Sequence, residues 1–108
     1  MADRLKRGDV RLYTSKKPDK RRPVVVLTRS EVIGLLHTVT VAPVTSSIHG
    51  APSEVIIGRE EGLKHDSAVN LDHIQTVQQA DLHTFLGRLN AEKLRELCRA
   101  AGIALGCR

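Results

Sequence analysis

A chain of 108 residues with 41% apolar content supports one modest hydrophobic core, so a single domain spanning residues 1–108 is expected. Tyr13 and Phe85 are its only aromatic residues, so the core has to be aliphatic and little is left for binding modes that stack bases on aromatic rings. The formal charge of +5 suits a polyanionic partner, while the charged lead-in Met1–Asp9 and the lack of any long apolar run argue against secretion and membrane insertion and for a cytoplasmic protein.

In chain order, Gly8-Asp9 opens a strand at Val10–Tyr13, where apolar and polar residues alternate. The next loop, Thr14 to Arg22, carries Lys16, Lys17, Lys20, Arg21 and Arg22 against Asp19 alone, an electrostatic footprint for phosphates. It runs into Pro23-Val24-Val25-Val26-Leu27, an apolar, β-branched run with proline at its first position, as a buried strand tolerates it. Ser30–Gly34 reads as one helical turn capped by Ser30. Thr38–Ala42 reads as a strand ended by Pro43, and Thr45–Pro52 as a loop. Further strands are expected at Ser53–Ile57, Ser67–Leu71, Ile74–Val77 and Phe85–Leu89, with turns at Gly58–Gly62 and Asp81–His83. Short, evenly spaced strands separated by turn signals predict a small, strongly bent barrel.

The period then changes. Asn90 can cap a helix, Glu92 suits its first turn, Leu94, Leu97, Cys98 and Ala101 share a face, and Gly102 reads as its stop. Cys98 and Cys107 would lie about 13 Å apart on a continuous helix, too far for a disulfide, so reduced thiols are expected.

Metal chemistry finds no support in the spacing. No cysteine pair has ligand spacing, and His37, His49, His65, His73 and His83 include no helical i, i+4 pair, so neither metal nor cofactor is expected. Two loops can handle phosphate instead. Arg22 is a guanidinium held at the mouth of a rigid strand, suited to charge-assisted bonds to phosphate oxygens. In Ala42-Pro43-Val44-Thr45-Ser46-Ser47 a strand stops and three hydroxyls follow, each able to donate to a phosphate oxygen. Asp72, between two strand segments, is a third candidate.

Five stretches together, in order and with matching spacing, resemble the MazF/PemK-type toxins: Arg7-Gly8-Asp9-Val10, Arg22–Leu27, Val41–Ser46, Ser67–Val77 and Leu86-Gly87-Arg88-Leu89. The resemblance implies an SH3-like β-barrel with a C-terminal helix, hence a mainly β fold with some α. It implies a homodimeric toxin of a toxin–antitoxin pair that cuts single-stranded RNA without a metal. The RNA's own 2′-hydroxyl attacks, leaving a 2′,3′-cyclic phosphate and a 5′-hydroxyl. By the same match Arg22 takes the place of the catalytic arginine and Thr45 that of the threonine holding the scissile phosphate, with Ser46 and Ser47 beside it. Lys16, Lys17, Lys20 and Arg21 would grip the RNA backbone, which positions RNA without reading it.

Proton removal is the open part, because arginine stays charged and is a poor base. Asp72 matches a position where some members have a catalytic aspartate, but those members carry arginine two residues earlier, where Asn70 stands here. His49, His73 and Arg22 remain alternatives. Arg11 also stands where many relatives have tryptophan, removing a stacking surface. The partner on the protein side would be an acidic antitoxin segment that folds over the basic site. Two competing readings are a CcdB-like poison that binds a topoisomerase without catalysis and a plain SH3-like RNA-binding module. The chain lacks the Trp-Gly-Ile tail of CcdB-type binders.

Overall fold

In the computed structural model, which describes residues 4–14 and 21–107, the β-branched and alternating segments form strands β1 (Asp9–Thr14), β2 (Arg21–Val26), β3 (Thr38–Thr45), β4 (Glu54–Ile57), β5 (Ser67–Asn70), β6 (Gln75–Gln78) and β7 (Leu82–Arg88). A one-turn helix α1 (Ser30–Ile33) lies between β2 and β3, and α2 (Ala91–Ala104) follows β7. Every strand pairing is antiparallel, in the order β4-β5-β3-β2-β1-β7 with β6 also on β3. The result is a mainly β fold, a curled sheet forming part of a barrel with a helix at its C-terminal end, as expected.

Strand β3 is the hub. One edge pairs with β2, while the other pairs first with β6 (Thr38–Val41) and then with β5 (Val44 and Thr45). The strand was expected to stop at Pro43 but carries through to Thr45. Pro43 falls between the β6 and β5 pairings, so on that edge its missing N–H removes no ladder bond. This extension makes Thr45 a strand residue, with a position set by the ladder.

The run Val24-Val25-Val26 is continuous because both faces of β2 are covered. Val25 joins Val10, Ala42, Val55, Ile57, Val69, Leu71 and Leu97 in the larger aliphatic cluster. Val24 and Val26 face the other way, onto Ile33, Val39, Val41, Val77 and Leu82, with Tyr13 packed alongside. One strand therefore ties two cores together, and Arg22 is the polar residue two positions ahead of that junction.

Helix α2 begins where the sequence indicates, with the Asn90 side chain accepting the Lys93 N–H at 2.8 Å. Its buried face differs in detail. Leu97 and Ala100 are buried, with Leu94, Ala101 and Ala104 packed beside them, whereas Cys98 is exposed and accepts a bond from the Arg7 guanidinium. Gly102 does not end the helix, which runs to Ala104. Gly106, at φ +76°, supplies the left-handed residue, and Cys107 N–H to Gly102 O and Gly106 N–H to Ile103 O close a Schellman turn.

Arg11 is a buried member of an ion network. Asp9 is fully buried and accepts from the Lys6 N–H at 3.0 Å, Arg11 Nη2 at 3.2 Å and Arg88 Nε at 2.6 Å. Arg11 also donates to His83 O, and the guanidiniums of Arg11 and Arg88 each lie 5.2 Å from the Phe85 ring centre. Where a stacking surface is missing from the sequence, the strand has gained an ion pair under an aromatic ring.

Two glycines are required where the 3₁₀ turn Arg59–Glu61 rests on β7. Gly62 has φ +93°, and a Cβ there would lie 2.0 Å from Leu86 O; a Cβ on Gly87 would lie 2.2 Å from Glu61 O. Both obstacles are backbone, so neither can swing aside. Gly87→Ala is expected to lower stability by about 1–3 kcal/mol, read as a lower urea midpoint. An unchanged midpoint would mean that this turn can lift from β7 freely.

Candidate active site

Strand ends place the polar groups. Arg22 is the second residue of β2 and pairs with Tyr13 of β1 across the ladder. Thr45 is the last residue of β3 and pairs with Ala68 of β5. Between these ends lies a surface cavity of about 520 Å³ with Arg22, Thr45 and Ser46 on its wall. Pro23, Val44 and Leu86 form its apolar backing, and the segment Gly62–His65 crosses its side, bringing Lys64 and His65 to the same space.

The Thr45 hydroxyl oxygen accepts the Ser47 N–H at 3.1 Å. That bond occupies a lone pair and leaves the hydroxyl proton available to donate, the arrangement a phosphate oxygen needs. Ser47 thus supports Thr45 through its backbone and does not itself line the cavity. Arg22 is exposed and Thr45 half-buried, so one partner reaches solvent while the other is held by packing. A guanidinium, two hydroxyls and an ammonium (from Lys64) around one opening can bind a phosphodiester and stabilise added negative charge on it.

The other expected residues fall elsewhere. Arg21 is the first residue of β2, paired with Thr14, so it is part of the strand. Adjacent strand residues point to opposite faces, which separates it from Arg22. Lys16, Lys17 and Lys20 lie outside the described residues. Asp72 sits in the 3₁₀ turn Leu71–His73, where its N–H donates to Asn70 Oδ1 at 2.9 Å and its carboxylate accepts the Ser53 hydroxyl; it does not line this cavity. Neither do His73, whose Nδ1 lies 3.1 Å from Asn70 Nδ2, and His49, whose N–H donates to Glu54.

Sequence reasoning had no reason to group Lys64 and His65 with Arg22. They lie in a turn-rich stretch, without spacing or periodicity to mark them. Only the packing of Gly62 against Leu86 and the burial of Leu63 against the core carry that stretch alongside β2 and β3.

Comparison with known proteins identifies the family. The family model described as "PemK-like, MazF-like toxin of type II toxin-antitoxin system" matches residues 6–105. The chain is 42% identical over 88 residues to the probable endoribonuclease MazF5 of Mycobacterium tuberculosis, covering 81% of each protein. It is 41% identical over 86 residues to the endoribonuclease MazF3 of the same species, covering 80% of this chain and 84% of that one. Among solved structures, the M. tuberculosis toxin MazF-mt6 superposes with a TM-score of 0.86 at 35% identity, over 93% of this chain and 98% of the other. With the matched region running from the lead-in to β1 through to the last turn of α2, the chain belongs to the PemK-like, MazF-like toxins of type II toxin–antitoxin systems.

Proposed function

We propose that the chain is a single toxin domain over residues 1–108 and a metal-independent endoribonuclease that cuts single-stranded RNA at selected sequences. The observation that carries this reading is the meeting of Arg22 and Thr45 on one cavity wall, from the neighbouring strands β2 and β3 and 23 positions apart in sequence. The relatives MazF5 and MazF3 bear the name endoribonuclease, which supports the same activity here.

Cleavage proceeds by attack of the RNA 2′-hydroxyl on the adjacent phosphorus. The phosphorane gains negative charge on its non-bridging oxygens, and the Arg22 guanidinium meets that charge with directed N–H donors. Thr45 donates its hydroxyl to a second oxygen and fixes the phosphate's orientation, with Ser46 beside it. The P–O5′ bond breaks, giving a 2′,3′-cyclic phosphate and a 5′-hydroxyl. Arg22 is a poor proton acceptor, so its part is charge stabilisation.

Lys16, Lys17, Lys20 and Arg21 add backbone affinity. Replacing the three lysines by alanine is expected to weaken RNA binding and flatten its dependence on salt, lowering the slope of log K against log salt by about 2. Turnover at saturating RNA should change little; a salt slope equal to the wild type would remove the lysines from the RNA path.

The protein works as a homodimer in the cytoplasm, and its antitoxin covers the basic site with an acidic segment that folds on binding. Among the described residues no helix is long and apolar enough to cross a membrane. The functional test is incubation of the purified protein with a panel of single-stranded RNAs in the presence of a chelator. Discrete cuts are expected. Tight binding without any cut across the panel would instead favour an RNA-binding module.

A further inference from the structure

The reaction proposed above needs a group to take the 2′-hydroxyl proton. Around the cavity, Arg22 and Lys64 carry donors only, and the Thr45 and Ser46 hydroxyls are far too weak as bases at neutral pH. Among the described residues that line the cavity, His65 is the one whose side chain carries a nitrogen able to take up a proton and give it back, and of the five histidines it alone lines this cavity.

Its placement is held from several sides. The His65 carbonyl accepts the hydroxyl of Ser67, a buried residue at the start of β5, at 3.2 Å. Two residues earlier Leu63 packs on the aliphatic core, and its N–H bonds Gly58 O at 3.1 Å. Before it, Gly62 lies against β7 where a side chain would not fit. The side chain is exposed, so RNA can reach it. Among the described residues, the charged groups around it are Arg22 of β2 and Lys64 on the cavity side. On its other side, a neighbouring cavity adds Arg59, Glu60, Glu61 and Asp66 of its own loop and Lys93 of α2.

We infer that His65 is the general base of the cleavage step, an assignment that rests on the reading of this cavity as the ribonuclease site. The neutral imidazole removes the 2′-hydroxyl proton as the O2′–P bond forms. Arg22 and Thr45 stabilise the phosphorane, the P–O5′ bond breaks, and the departing 5′-oxygen takes a proton from solvent water. The imidazolium then returns its proton to the hydroxide so formed, leaving enzyme and water unchanged. Asp72, engaged by the Ser53 hydroxyl at another place, has no part in this step.

The test uses an RNA oligonucleotide containing a mapped cut site, in single turnover, with the full-length protein and His65→Gln. The variant should cleave about 10²-fold more slowly or worse. Its rate should lose the rise with pH that deprotonation of a base gives the wild type. Affinity for the 2′-deoxy analogue of the same oligonucleotide should stay within about twofold, because the imidazole is proposed to act on the proton and not to anchor the phosphate. A second substrate with sulfur in place of the 5′-bridging oxygen separates base from acid, since a thiolate leaves without a proton. The His65→Gln defect should persist on that substrate; its disappearance would assign His65 to the leaving group and overturn the inference. A His65→Gln enzyme with wild-type rate and pH profile, beside an Arg22→Ala enzyme that is inactive, would overturn it too while leaving the site reading intact. A wild type that cuts no RNA at all would bring down both.

Discussion

Arg22→Ala is expected to cut RNA about 10³-fold more slowly than the wild type in single turnover, the scale of loss when a main stabiliser of transition-state charge is removed. The cause is local. Arg22 is exposed at the start of β2, while the apolar residues that hold the strand begin with Val24. Stability should therefore be nearly unchanged, and an unaltered urea midpoint is the control. Arg22→Lys should recover only part of the rate, because an ammonium restores the charge without the planar pair of donors. Thr45→Ala should lose about 10²-fold, whereas Thr45→Ser should retain most activity, since it keeps the hydroxyl that accepts from Ser47 and donates to phosphate. Near-wild-type cleavage by both alanine variants would remove this cavity from the reaction.

The largest effect on stability is expected at Asp9. Asp9→Asn keeps the shape but withdraws the charge that neutralises Arg11, whose side chain is 7% exposed and cannot hydrate in place. Stranding a buried charge in this way costs about 3–5 kcal/mol, a large part of a small domain's stability. Arg88 contributes less to that loss, being 46% exposed at its side chain and able to turn to water. Adding Arg11→Leu to Asp9→Asn should therefore restore much of the lost stability, because the second change removes the group that the first left unpaired. Chemical denaturation of the two single variants and the double variant checks this. Strictly additive losses would show that the ion pair is not the source of the effect.

Both expectations depend on features that differ in how visible they were in the sequence. The strands were legible because their side chains alternate or are β-branched, and α2 because Asn90 and the Leu94/Leu97 spacing mark its start and face. The basic loop before Pro23 and the three hydroxyls after Pro43 were visible as candidates, but it was the resemblance to the MazF/PemK-type toxins that singled out Arg22 and Thr45 within them. What was hidden arose from contacts between distant segments. The sequence around Pro43 suggests a stop, and only the handover of β3 from β6 to β5 shows why the strand continues. Gly102 looks like a helix stop, but Gly106 is the residue placed to adopt positive φ. Arg11 reads as a surface cation until Asp9 and Arg88 are brought beside it. His65 was hidden for the same reason, since its neighbourhood is created by Gly62 and Gly87 touching across two segments. These glycines are also the plainest case of a small residue specifying a site it does not chemically join.

The most direct measurement uses RNA with a single 2′-deoxy substitution at the mapped cut site, incubated with the wild-type protein and a chelator, with product ends read by mass spectrometry. The account predicts that unmodified RNA yields a 2′,3′-cyclic phosphate and a 5′-hydroxyl, and that the 2′-deoxy substrate stays intact at that position. Cleavage of the 2′-deoxy substrate, or products ending in a 3′-hydroxyl and a 5′-phosphate, would contradict attack by the 2′-hydroxyl and with it the roles given to Arg22 and Thr45.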